Sequence, residues 1–252
     1  MKAEQLAVVQ GWDDTRAALK RWNANPALVA RSWALGSLAV TATLLTLTWI
    51  VAETTRADPT LYGYPGLTRP AFWHDFFFLL YRNGLVLALH AMACVAGFIA
   101  GSQLPTAARD YSGFVRKLHD RAGTFAIGFV AAATLFSLGT QAYALGNGAA
   151  SLSGRLDVSP AVLLIALLPH ALPELFAVFL PLAAWSIASR RGAWDELLAA
   201  TIATTAIAVP LVLLAAAIET WVTRYTFYSD RAFRRTEIHG RHHERFRYQL
   251  PG

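Results

Sequence analysis

Leu167-Leu168-Pro169-His170-Ala171-Leu172-Pro173-Glu174-Leu175-Phe176 is the stretch on which the reading of this chain turns. A histidine and a glutamate stand four residues apart, two prolines punctuate the backbone, and apolar sequence continues on both sides. The whole apolar run covers residues 161–189. Uncharged runs of about 18 residues or more read as membrane spans. A continuous helix over this run would be about 43 Å long at ~1.5 Å per residue, against a hydrocarbon core of roughly 30 Å. Pro173 has no N–H to give the carbonyl of Pro169, and it suits the first turn of a new helix. Two readings stay open. In one, the run is re-entrant, broken at Pro169 and Pro173 into half-helices that meet near Leu172; such backbone is tolerated at depth only where protein or water covers it. In the other it is a single kinked or tilted crossing.

Outward from this stretch the chain keeps the same character. Of its 252 residues 55% are hydrophobic and only 15% charged, with mean hydropathy +0.38. Soluble domains carry roughly 25% charge. Four more apolar segments fit spans, at 33–53, 83–101, 124–146 and 198–222. The expected fold is all-α: a polytopic transmembrane helix bundle of about five apolar segments, with interfacial amphipathic helices. Residues 1–32 set Leu6, Val9, Trp12, Leu19 and Trp22 against Asp13, Asp14, Arg16, Lys20 and Arg21, and read as an interfacial N-terminal segment. The transmembrane domain is then 33–222, and 223–252 is a basic soluble tail. The aromatic stretch 70–82 is too short to cross and reads as a helix lying flat at the headgroups. Turn-rich sequence at 54–69, and Gly146-Asn147-Gly148 opening a polar loop to about Pro160, separate the spans. No cleaved signal peptide is expected, since the first apolar run starts near Trp33. Cys94 is the single cysteine, so no intrachain disulfide forms.

The formal net charge of +6 is read as arginines facing anionic lipid, with no nucleic-acid partner. Lys and Arg number five before the first span, three in 54–82, four in 102–123, one in 147–160, two at 190–191 and seven after Glu219. If every segment crosses once, each side of the membrane carries eleven and the positive-inside bias vanishes. A re-entrant 161–189 gives sixteen against six and restores it.

Polar groups within the apolar segments are the candidate site. His170 and Glu174 share a helical face at i, i+4. A carboxylate near the bilayer centre costs about 2.5 kcal/mol or more, so Glu174 is expected to have a partner, to be protonated or to face water. Glu219 ends the last span beside Trp221, and His90, Asn83 and Asn147 are further polar partners. Metal binding, a proton or ion relay at helix breaks, and a hydrogen-bonded clamp between helices are all open to this set, with the clamp as the plainest. The zincin pattern of two histidines around a glutamate does not occur here. The tail segment His239-Gly240-Arg241-His242-His243-Glu244-Arg245 lacks a recognised ligand spacing. No metal, no cofactor and no catalytic residue is assigned.

Pro169-His170-Ala171-Leu172-Pro173-Glu174-Leu175, followed by Ala215-Ala216-Ala217-Ile218-Glu219-Thr220-Trp221, resembles the stage II sporulation protein M family of integral membrane proteins. That family carries a His-Gly-x-x-Glu-Leu signature in one membrane helix and an Ala-x-x-x-Glu signature closing the last. Phe125-Ala126-Ile127-Gly128 and Asn147-Gly148 resemble its third-span pattern. The likeness covers about 124–223. Ala171 stands where the family usually has glycine, and Pro173 is unusual inside the motif.

The resemblance implies a membrane scaffold. The founding member works with peptidoglycan-degrading partners during engulfment. His170, Glu174 and Glu219 take the signature polar positions, without an established enzymatic role. The expectation is a multi-pass protein of the bacterial cytoplasmic membrane that recruits a membrane or envelope partner, is able to oligomerise and is not an enzyme. The alternatives are a small ion-coupled transporter using His170 and Glu174, and an intramembrane metalloenzyme.

Overall fold

A computed structural model describes residues 7–58, 72–104 and 112–223. The histidine-rich segment 239–245 and most of the loop 54–69 lie outside the described residues, as does all of the tail beyond Thr223. The described chain is helical, with no strand. Helix α1 spans Ala7–Ala24, α2 Pro26–Thr54 and α3 Trp73–Phe98, which runs into a π-helical turn at Ile99–Gln103. Helix α4 is short, Gly113–Asp120; α5 spans Ala122–Leu156 and α6 Pro160–Arg191. A 3-10 turn at Trp194–Glu196 leads into α7, Leu197–Ala217, which ends in a π-helical turn at Ile218–Thr223. Among the described residues five helices are long and apolar enough to cross a membrane, and they correspond to α2, α3, α5, α6 and α7.

Helix α6 is the centre of the bundle, packed against α2, α3 and α7. Its local signals are strong at both ends. Ser159 Oγ accepts the Val162 amide at 3.3 Å ahead of Pro160, and Gly192 closes the helix at φ 69 after Arg190 and Arg191. Phe179, Leu182 and Trp185 of α6 meet Leu44 of α2, Leu87 and Phe98 of α3, and Leu197 and Val212 of α7 in one apolar core. Large apolar side chains such as Leu89, Met92, Phe129, Phe136, Ile165 and Leu214 point outward. In water that surface would aggregate; in lipid it is the expected outer face.

The re-entrant reading is corrected. Residues 160–191 form one continuous helix with Pro169, Pro173 and Pro181 inside it. Prolines are tolerated in membrane helices because neighbouring helices satisfy the backbone groups they free, whereas a break in lipid exposes still more of them. With a single crossing here, α1 and the π-helical turn at Ile218–Thr223 lie at opposite faces of the bundle.

Two further boundaries move. Of the stretch expected to lie flat at 70–82, residues 73–82 form the first turns of α3, whose span begins at Trp73 rather than Asn83. Gly146-Asn147-Gly148 opens no loop, and α5 continues to Leu156. Gly146 lies where α5 crosses α2, and a Cβ there would come within 2.5 Å of Val51 Cβ.

Helix α2 presents Trp33, Ser37, Thr41, Leu44, Thr48 and Ala52 inward, at spacings of three and four. Small and hydroxyl side chains on such a face let membrane helices approach closely. Helix α1 docks against the α6–α7 turn. The Arg21 guanidinium donates to Asp195 at 3.2 Å and to Glu196 at 3.1 Å. These are half-exposed pairs, worth about 0–1 kcal/mol.

Asp14 of α1 keeps one buried carboxylate oxygen unbonded among the described residues. Burial first, then the carboxylates of Asp195 and Asp13, push its pKa up, while Arg21 opposes them. Docked α1 therefore favours protonated Asp14. Its contribution to docking is fullest below the ordinary carboxylate range and fades as pH rises through the raised pKa. Asp14→Asn is expected to slow amide exchange in α1 near pH 7, and the gap from the native protein should close towards about pH 4. An equal gap at both pH values would contradict this.

Candidate functional site

The polar groups inside the spans divide into two sets. The first ties α6 to its neighbours. Ser37 of α2 donates its hydroxyl to the Phe176 carbonyl at 2.6 Å. His90 of α3 lies 2.9 Å through Nδ1 from the Val178 carbonyl, and Cys94 Sγ lies 3.3 Å from the Pro181 carbonyl. A carbonyl can only accept, so Nδ1 of His90 carries the proton. The His90 ring also rests on Phe179, centroids 5.5 Å apart. Pro181 is fully buried, and its ring denies the Ala177 carbonyl an intrahelical donor and bends α6 locally. Side chains of α2 and α3 thus reach carbonyls of α6 on either side of Ala177.

The second set surrounds Glu174. This residue stands about 21 Å from the start of α6 at ~1.5 Å per residue, inside the span. Its carboxylate faces the Asn83 side chain on α3, with Glu219 of the last π turn and Arg82 of α3 as charged neighbours. The Asn83 amide nitrogen is buried and without a partner at hydrogen-bonding distance. It and the carboxylate therefore make a loose polar contact rather than a closed bond. Aromatic rings stand towards the membrane boundary from this set. Trp73 lies 4.8 Å from Trp221, and Phe76 stacks on Trp221 at 5.1 Å. Two acids, one guanidinium and one amide within a span can hold a proton or a small cation, or join three helices.

Of the residues singled out in the sequence, Glu174, Glu219 and Asn83 come together. His170 is buried one turn before Glu174 on the same helix. His90 is engaged by the α6 backbone instead, and Asn147 donates to Tyr143 within α5 at 2.7 Å. Pro169 and Pro173 lie within α6 and break nothing. Arg82, Ser37, Cys94 and Pro181 were not singled out. Arg82 had a signal, a charge directly before Asn83, but the aromatic run around it reads as a membrane surface. Ser37 is one hydroxyl in an apolar run and had none. Among the described residues no group of three or more His, Cys, Asp or Glu is placed to hold a metal ion.

No curated protein and no solved structure matches the chain at a significant level. A family model does match, over residues 113–224, and its description is Stage II sporulation protein M. The matched segment holds α4 to α7 and the final π turn, with His170, Glu174 and Glu219 inside it. Over residues 113–224 the chain is thus similar to the stage II sporulation protein M family.

Proposed function

We propose that this membrane protein is a scaffold that recruits a membrane or envelope partner in the bacterial cytoplasmic membrane. The observation that carries the reading is the use made of the interior polar side chains. Ser37, His90 and Cys94 all engage carbonyls of α6, which fastens the central helix to two neighbours. A carrier that alternates between two forms has to release such links in each cycle, whereas a scaffold keeps them. The family resemblance adds the class of partner, proteins that remodel the cell envelope. No catalytic step is assigned to any residue.

Orientation follows from charge close to the spans. The α1 face carries eleven Lys and Arg in short segments, including Arg116, Lys117, Arg190 and Arg191. The opposite face has Arg56 and Arg69 between α2 and α3, Arg82 within α3, Arg155 in the last turn of α5 and the seven tail arginines, several of them too far from a span to weigh fully. This distribution supports a reading in which the α1 face is cytoplasmic.

A second reading rests on Glu174. Two carboxylates and Arg82 inside the span also suit an ion-coupled permease. Glu174→Gln separates the two. In the scaffold reading the variant folds, because the amide still meets Asn83, and purified protein in vesicles shows no pH-driven flux with or without the substitution. Crosslinking in native membranes then captures the same partner from both forms or loses it from the variant. A pH-driven flux that Glu174→Gln abolishes would establish the permease and reject the scaffold.

A further inference from the structure

A cavity of about 200 Å³ opens where α1, α2, α6 and the α6–α7 turn meet. Its wall is apolar at Trp22, Trp33, Ile187, Ala188 and Ala200, and Arg191 stands in the same lining. Trp22 and Trp33 meet edge to face at 5.0 Å. The site lies at the boundary level of the bundle: α2 starts at Pro26, α6 ends at Arg191 and the α6–α7 turn follows. Tryptophan pairs belong at the headgroup depth.

The charges of the lining are unequal in their use. Glu196 also borders the cavity, but its carboxylate is held by Arg21 at 3.1 Å. Arg191 is exposed and has no carboxylate partner among the described residues. The cavity thus offers one available guanidinium beside a largely apolar wall. An anion with an apolar chain satisfies both parts. A free anion leaves the wall wet, and an uncharged chain leaves the guanidinium unmatched. The arginine-rich tail of the chain is excluded as occupant by its like charge.

We propose that this cavity is a binding site for one anionic phospholipid, with the phosphate on Arg191 and the first part of an acyl chain between Trp33 and Ile187. Arginine meets phosphate through two parallel N–H donors, a strong and directional pairing. The volume accommodates only part of one chain, so the rest of the lipid lies in the bilayer. Helix α1 supplies Trp22, and through Trp22 the bound lipid adds to the docking of α1.

Native mass spectrometry of the full chain, released from detergent and titrated with phosphatidylglycerol or phosphatidylcholine, tests the site. The native protein is expected to retain one phosphatidylglycerol. Arg191→Gln should weaken retention about tenfold, the loss of one good charge-assisted contact. Ala188→Leu, which fills the cavity and leaves the charge, should weaken it as well. Arg190→Gln, outside the lining, should change little, and each variant is compared at an unchanged elution volume. Equal retention of phosphatidylcholine would overturn the proposal. So would full retention by both Arg191→Gln and Ala188→Leu. Displacement of the lipid by millimolar inorganic phosphate would reduce the site to an anion contact and overturn the acyl-chain part.

Discussion

Gly146→Leu is expected to force α2 and α5 apart and to cost about 3 kcal/mol, the upper range for overpacking. The position has no room. A Cβ at Gly146 would sit 2.5 Å from Val51 Cβ and 3.0 Å from the Thr48 carbonyl oxygen. Both belong to or adjoin the α2 backbone, so no rotamer change relieves the contact. Gly139, two turns earlier on the same helix, has nothing within 4 Å of its Cβ position. Gly139→Leu replaces a poor helix former with a good one, a gain of up to about 1 kcal/mol where no contact opposes it. The two substitutions are chemically the same and should shift thermal unfolding in mild detergent in opposite directions. Equal shifts would show that α2 and α5 do not meet at Gly146.

The second large effect concerns the side chains fastened to α6. His90→Leu keeps much of the side-chain volume and contact with Phe179 but removes the donor from the Val178 carbonyl. The Val178 carbonyl keeps its place in the α6 ladder, so the loss is that of one interhelical bond, up to about 1.7 kcal/mol. Hydrogen bonds between membrane helices average nearer 0.6 kcal/mol, which sets the scale for Ser37→Ala. Phe176 and Val178 are two residues apart on one helix, so the effects are not independent. The double variant is expected to lose about 2 kcal/mol, read as a lower melting temperature. His90→Gln, which retains an N–H donor, should lose less than His90→Leu. If all four variants melt with the native protein, α6 is held by apolar packing alone.

The class of fold was legible because lipid imposes it. The apolar runs at 33–53 and 124–146 each fall inside a helix of the structure, and 198–222 falls within α7 and its closing π-helical turn. The errors share one cause. Gly146-Asn147-Gly148 and Pro169-x-x-x-Pro173 are chain breakers in water, where solvent accepts a freed carbonyl or amide. Within a membrane there is no solvent to do so, and the helix persists through both. The aromatic start of α3 misled for a different reason. Trp73 and Phe76 have the composition of a surface belt, and only the contact with Trp221, nearly 150 residues later, makes them part of a span.

The site was half legible. Glu174 and Glu219 stand out as acids in apolar sequence, and they do converge. Their meeting with Arg82 and Asn83 required α3 to begin ten residues before Asn83. The engagement of His90 by the Val178 carbonyl required knowing that α3 packs on α6 at that level, which no local pattern around His90 shows.

The single crossing of α6 underlies both the polar set around Glu174 and the placement of the two faces. Cysteines introduced singly at Val158 and Arg190, which flank α6, test it most directly, since Cys94 is buried. In sealed vesicles of known orientation a membrane-impermeant thiol reagent should label one of the two and reach the other only after the membrane is opened. Labelling of both from the same side would show that residues 160–191 turn back within the membrane, and would contradict the continuous helix.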